Sequence, residues 1–271
     1  MEIITTLFSY EFIIRAIVVG ILVSLCSSVL GVSLVLKRYS MIGDGLSHVS
    51  FGALSVAAAL NMAPLAVSVP IVIAAAFFLL RISENSRIGG DAAIAVFSSS
   101  ALAIGIIVTA MTTGINADIC NYMFGSILAM SRSDVYISVI MSIVVLLMYL
   151  LSYNKIFAIT FDESFSRATG VKVDLYNVAI AILTAVTIVL GMRIMGALLI
   201  SSLIIFPALS AMRICKYFKS VILCSAIFSV ICFFMGIVLS YILEVPVGAS
   251  VVMVNLAVFL LSSLAGKILN R

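Results

Sequence analysis

Apolar residues run along this chain in blocks of helix length, separated by short clusters of charged residues, glycine or proline. Residues 16–36 form the first block, which at 1.5 Å per residue covers about 31 Å, the thickness of a bilayer core. Comparable blocks follow at 46–60, 63–80, 92–113, 135–153, 175–192, 194–212, 221–243 and 247–266. The pattern predicts an all-α integral membrane protein, a polytopic bundle of nine transmembrane helices in a single domain, 1–271, with eight as the alternative. The ambiguous joint is Gly191-Met192-Arg193-Ile194-Met195-Gly196, where one long apolar tract either turns back or kinks. Helix-length blocks, in place of ten-residue alternations, exclude an outer-membrane barrel. No internal repeat is visible.

Composition narrows the class further. Of 271 residues, 64% are hydrophobic and only 10% charged, and the mean hydropathy is +1.36, too apolar for a water-soluble surface. The net charge of +4 reflects basic residues placed beside apolar spans, so they act as topology signals and imply no nucleic-acid partner. With the N-terminus outside and the C-terminus cytoplasmic, Lys37, Arg38, Arg81, Arg87, Lys155, Arg167, Lys172, Arg213, Lys216, Lys219, Lys267 and Arg271 all fall inside. Arg132 and Arg193 fall outside, with Asp118 and Glu244 in the outer loops. The five cysteines form no CxxC pair and read as packing residues. The first apolar run is too long for a signal-peptide core and is expected to remain as an anchor. Two stripes of small residues, Ala16-Gly20-Ser24-Ser28 and Ala101-Gly105-Thr109, mark helix interfaces.

Three segments carry candidate chemistry. In Met41-Ile42-Gly43-Asp44-Gly45-Leu46-Ser47-His48, Asp44 sits between glycines at the start of an apolar run, where it is expected to be an N-cap. His48, the only histidine, follows four residues later on the same helical face. A carboxylate and an imidazole at this spacing can reach one divalent cation, but two ligands make an open site. The bland alternative is that Asp44 caps and His48 hydrogen-bonds a neighbouring helix. The second segment, 160–170, has a Thr160/Glu163 capping box and a Gly170 stop, predicting a short cytoplasmic helix with Phe161, Phe165 and Ala168 on one face. Such a helix either lies at the lipid headgroups or meets a partner. In the third, Arg193 lies in the apolar tract near Gly196, and Pro207 removes a backbone hydrogen bond further on. Arg193 either snorkels to the headgroups from a turn or belongs to the pathway.

These segments, in this order, resemble the permease subunit of the ABC importers for zinc, manganese or iron(II). The resemblance rests on Lys37-Arg38 followed by Met41 to His48, on Phe124-Gly125-Ser126-Ile127-Leu128-Ala129 with Ser131 to Asp134, and on Phe161-Asp162-Glu163-Ser164-Phe165-Ser166-Arg167-Ala168-Thr169-Gly170. It also covers Gly196 to Pro207 and Glu244-Val245-Pro246-Val247-Gly248-Ala249; Ser166 departs from the usual alanine. The resemblance implies a dimer of membrane subunits beneath an extracytoplasmic metal-binding protein and above two ATPase subunits. It assigns Asp44 and His48 to the metal path, Phe161, Asp162, Glu163, Phe165 and Gly170 to ATPase coupling, and Gly125, Ser126, Arg193, Gly196 and Pro207 to structure and gating. Asp118 and Glu244, by their placement in outer loops, are candidates for attracting the ion at the outer mouth.

The chain has no GxxxxGK[ST] phosphate loop, so ATP hydrolysis is expected on a separate subunit. No permanently bound cofactor is expected; the cargo is Zn2+, alternatively Mn2+ or Fe2+. A membrane-embedded zinc protease would need HExxH, which one histidine cannot supply. A secondary metal transporter that runs without ATP is the remaining rival.

Overall fold

The computed structural model describes residues 11–85, 90–112, 125 and 132–268, and these are helical almost throughout. The helices are α1 Glu11–Leu36, α2 Ser40–Ala59, α3 Pro64–Asn85, α4 Gly90–Met111, α5 Arg132–Phe161, α6 Glu163–Ala168, α7 Val173–Ile214, α8 Phe218–Leu243 and α9 Val247–Ile268. Among the described residues, eight segments are long and apolar enough to cross a membrane; α7 supplies two, Val173–Arg193 and Met195–Ile214. Length and apolarity thus give the alternative count of eight. The block expected at 46–60 is helical within α2, but Asp44, His48 and several serines keep it out of that set.

Yet α2 still runs the length of the bundle. Helix α1 finishes where Lys37 meets Glu163 and Asn177. At the start of α3, Leu65, Val69 and Pro70 share a cavity with Ile137 and Met141 of early α5 and with Val186 and Leu190 late in the first α7 arm. These are opposite ends of the bundle, so α2 carries the chain from the Lys37 end to the Arg193 end. Its polar residues are tolerated because Leu46, Ser47, Ser50, Phe51 and Leu54 are buried in protein.

The joint inside α7 turns back. Gly196 has φ 80° and ψ 163°, a backbone region open essentially to glycine alone. A methyl group on Gly191 would overlap the side chain of Ile200, whereas a straight helix would hold those Cα atoms about 13.5 Å apart.

Helices α1 and α7 form the centre, burying Val19, Val23, Leu30, Ile188, Val189, Leu199 and Leu203. The small-residue stripes are helix interfaces, as expected. On α1, Gly20 abuts Phe233 of α8, and the Ser229 and Ser225 hydroxyls donate to the carbonyls of Ser24 and Ser28 at 3.0 and 3.3 Å. On α4, the Ala101 carbonyl lies against Gly52 and Gly105 lies against Phe51, which brings α4 close to α2. Cys26 and Cys232 are buried, Cys215 and Cys224 half-buried, and all four are unbridged. Helix α5 presents Leu147, Leu150 and Leu151 outward, a face suited to hydrocarbon.

Candidate functional site

The segment that carries Asp44 begins its helix earlier than expected. Arg38 adopts φ 60° and the Tyr39 amide donates to the Leu34 carbonyl at 2.7 Å, which ends α1 and lets α2 start at Ser40. Tyr39 is the N-cap and makes no side-chain cap hydrogen bond, so Asp44 is not a cap but lies in the second turn. Its carboxylate is thereby left to face outward from the helix side. The expected i, i+4 relation holds, with His48 Nε2 3.7 Å from Asp44 Oδ2.

Both side chains line a cavity of about 210 Å³, with Ser47 and Phe51 on the same face of α2, Leu102 from α4, and Ala197, Leu198 and Ser201 from the second arm of α7. The Ser201 hydroxyl donates to Ser47 Oγ at 3.1 Å, and Ser47 donates to the Asp44 carbonyl at 2.7 Å. His48 Nδ1 is buried without a hydrogen-bond partner, whereas Nε2 lies beside Asp44. Among the described residues no cluster of three or more His, Cys, Asp or Glu side chains exists. Any ion held here has one carboxylate, one imidazole and hydroxyl or water oxygens, a set weak enough to release its cargo.

Gly196 enters this site indirectly: its turn sets Ala197 and Leu198 into the cavity wall. Pro207 lies further along that arm, inside the helix. Arg193 does not line the cavity. Its guanidinium meets Asp134 Oδ1 at 2.6 Å, with side chains 18% and 12% exposed, a buried pair that the sequence pattern did not single out. The expectation that Arg193 snorkels to the headgroups from a turn gives way to this pair, though the turn itself is present. Ser201 was also missed, because a serine in an apolar helix carries no signal until its neighbour is known. Glu244 is exposed, in left-handed conformation at the C-cap of α8. Gly125 has φ 83°, while Asp118 and Ser126 lie outside the described residues.

The short helix α6 is cut differently from the expected capping box. Thr160 belongs to α5, its hydroxyl donating to the Ile156 carbonyl at 2.7 Å. Asp162 caps α6 instead, accepting from the Phe165 amide at 2.8 Å, and the helix spans six residues. Gly170, at φ 83°, stops it as expected, with its amide donating to the Arg167 carbonyl at 3.2 Å. Phe161 and Phe165 are 61% and 63% exposed, and Phe161 also packs edge-on against Phe218.

The model of the ABC 3 transport family matches residues 9–266. The chain belongs to the ABC 3 transport family. Within this family it is 28% identical over 256 residues to the manganese transport system membrane protein MntC of Halalkalibacterium halodurans, covering 94% of this chain and 88% of that one. It is equally 28% identical, over 253 residues, to the high-affinity zinc uptake system membrane protein ZnuB of Haemophilus influenzae, covering 93% and 97%. A solved structure, PsaBC from Streptococcus pneumoniae in complex with Fab, contains a chain similar at a TM-score of 0.87 and 28% identity, covering 96% of this chain and 94% of that one. This ABC 3 chain is therefore a multi-pass cell-membrane permease of a metal-ion transport family.

Proposed function

We propose that the chain is the membrane permease subunit of an ATP-driven importer that moves a divalent transition-metal ion into the cytoplasm, with zinc as the preferred cargo. The observation that carries the reading is the Asp44–His48 pair on one face of α2, beside a cavity closed by α4 and the second arm of α7. An imidazole nitrogen favours zinc over magnesium or calcium. The oxygens of Asp44, Ser47 and Ser201 are harder donors that also suit manganese, and the family relatives are named for both metals. Iron(II) fits the same donors.

Charge supports the orientation. Lys37, Arg38, Lys155, Arg167, Lys172, Arg213, Lys216, Lys219 and Lys267 gather toward one end, and Arg15, Arg132 and Arg193 toward the other. The positive-inside rule makes the Lys37 end cytoplasmic and the N-terminus external. Helix α6 then faces the cytoplasm, where Phe161, Asp162, Glu163, Phe165 and Gly170 form the docking element for a separate ATPase subunit. A soluble metal-binding protein delivers the ion to the outer end, where Asp118 and Glu244 attract it, and a second permease copy completes the membrane unit. ATP binding shifts the population between outward and inward states, and the ion crosses through the Asp44–His48 site.

The test is uptake of radiolabelled zinc in cells co-expressing the chain, its ATPase and its binding protein, with unlabelled manganese and iron(II) as competitors. Uptake should require ATP, yield mainly to unlabelled zinc, and fall to background in His48→Ala. Uptake that persists without the ATPase identifies a secondary transporter and ends the proposal. Stronger competition by manganese or iron(II) corrects the cargo alone.

A further inference from the structure

Three residues, Lys37, Arg38 and Tyr39, separate α1 from α2, and all three of their amides are engaged. The amides of Lys37, Arg38 and Tyr39 donate to the carbonyls of Ser33, Val35 and Leu34 at 3.0, 3.1 and 2.7 Å, and the Ile42 amide donates to the Tyr39 carbonyl at 3.0 Å. A connector so short and so bonded is stiff, so displacing Lys37 displaces the first turn of α2. Asp44 lies only five residues beyond Tyr39.

The Lys37 side chain is 5% exposed, and its ammonium ends between two other elements. It donates to Asn177 Oδ1 of α7 at 2.5 Å and to Glu163 Oε2 of α6 at 3.5 Å, and lies 5.5 Å from the Tyr39 ring. Asn177 is itself buried and donates through Nδ2 to Glu163 Oε1 at 3.3 Å, so both oxygens of the Glu163 carboxylate are held. The rest of α6 has little apolar grip: Ser166 is its only buried residue, and Phe165 points away into the open. A push on α6 therefore reaches the bundle through two polar junctions, the exposed Arg167–Asp174 pair with α7 and the Glu163 contact, and only the second reaches Lys37. Because the Lys37 ammonium is nearly enclosed, stranding it without partners is costly, so the junction resists slipping even though the Glu163 side chain is 39% exposed.

We propose that Lys37 is a positioning residue which, through Glu163 and Asn177, couples movement of α6 to movement of the metal-bearing helix α2. The proposal rests on the reading of α6 as the ATPase-docking element and of α2 as the metal path. It assigns to Lys37 a role that neither its place in a basic cluster nor the positive-inside rule requires. A topology signal works equally well as any cation; a coupling residue must reach both partners.

The experiment reconstitutes the complete complex of chain, ATPase and binding protein in proteoliposomes and measures zinc uptake and ATP hydrolysis in the same preparation. In Lys37→Met, hydrolysis should continue while uptake per ATP falls by about tenfold, as expected when one charged buried contact is removed. The double variant Lys37→Glu/Glu163→Lys should restore most of that ratio, because the Asn177 amide both donates and accepts and can serve the reversed pair. An unchanged ratio in Lys37→Met overturns the proposal, as does a parallel loss of hydrolysis and uptake in an intact complex, which is what a purely structural role gives. If Lys37→Met fails to assemble, the double variant decides: an assembled complex with a restored ratio supports coupling, and anything else refutes it. Wild-type complex that takes up no zinc, manganese or iron(II) with ATP contradicts the proposed function instead, so the two failures are distinguishable.

Discussion

The two ends of this bundle are held together by opposite means. At the Arg193 end, one ion pair between Arg193 and Asp134, 2.6 Å apart and nearly enclosed, ties the α7 turn to the first turn of α5. At the Lys37 end, outside the enclosed Lys37 ammonium, the charges are spread over α6 and its neighbours, with Arg167 bonded to Asp174 at 2.8 Å and lying 3.7 Å from Glu163, mostly in the open. A buried pair is expensive to break because the survivor is left charged in a poor solvent; an exposed pair is backed by water and weakly held. The first arrangement suits a fixed brace, and the second suits a surface that meets a partner and moves with it.

Breaking the brace should have the largest effect. Asp134→Ala is expected to destabilise the purified chain by about 3–5 kcal/mol, seen as a lower unfolding temperature in detergent, while Asp134→Leu/Arg193→Met should recover most of the loss. If the single variant unfolds at the wild-type temperature, the pair is not a brace. Next comes the turn itself: Gly196→Ala must place a Cβ at φ 80°, ψ 163°, at a cost of about 1–3 kcal/mol, and should also lower uptake because Ala197 and Leu198 line the cavity. At the opposite end, Arg167→Ala should leave the unfolding temperature within the error of the measurement, since the pair with Asp174 is largely solvated and contributes little. A clear loss of stability in Arg167→Ala would erase the contrast between the ends.

Much of this architecture was legible in the sequence because helices of membrane-spanning length announce themselves by hydropathy alone, and α1, α3, α5, α8 and α9 each do. The Asp44–His48 relation was legible because i, i+4 spacing fixes a shared face wherever the helix begins. The start of α2 was not: Lys37-Arg38-Tyr39 contains neither glycine nor proline, and nothing local announces that Arg38 takes a left-handed conformation. The cap of α6 was misassigned because Thr160 and Asp162 are both competent caps, and only the continuation of α5 to Phe161 chooses between them. The contacts of Arg193 with Asp134, and of Lys37 with Glu163 and Asn177, join residues far apart in the chain, and one sequence offers no signal for such pairings.

Helix α2 has one more consequence, which concerns how the protein is made. A segment that carries Asp44, His48 and four serines, Ser40, Ser47, Ser50 and Ser55, gains little by leaving an aqueous channel for lipid one helix at a time. It becomes comfortable only once α4 and the second arm of α7 surround it, and the latter is made more than a hundred residues later. Biosynthesis must therefore shelter α2 between its apolar neighbours α1 and α3 until the rest arrives. The segment proposed as the ion path is, for the same reason, the one least able to enter the membrane unaided.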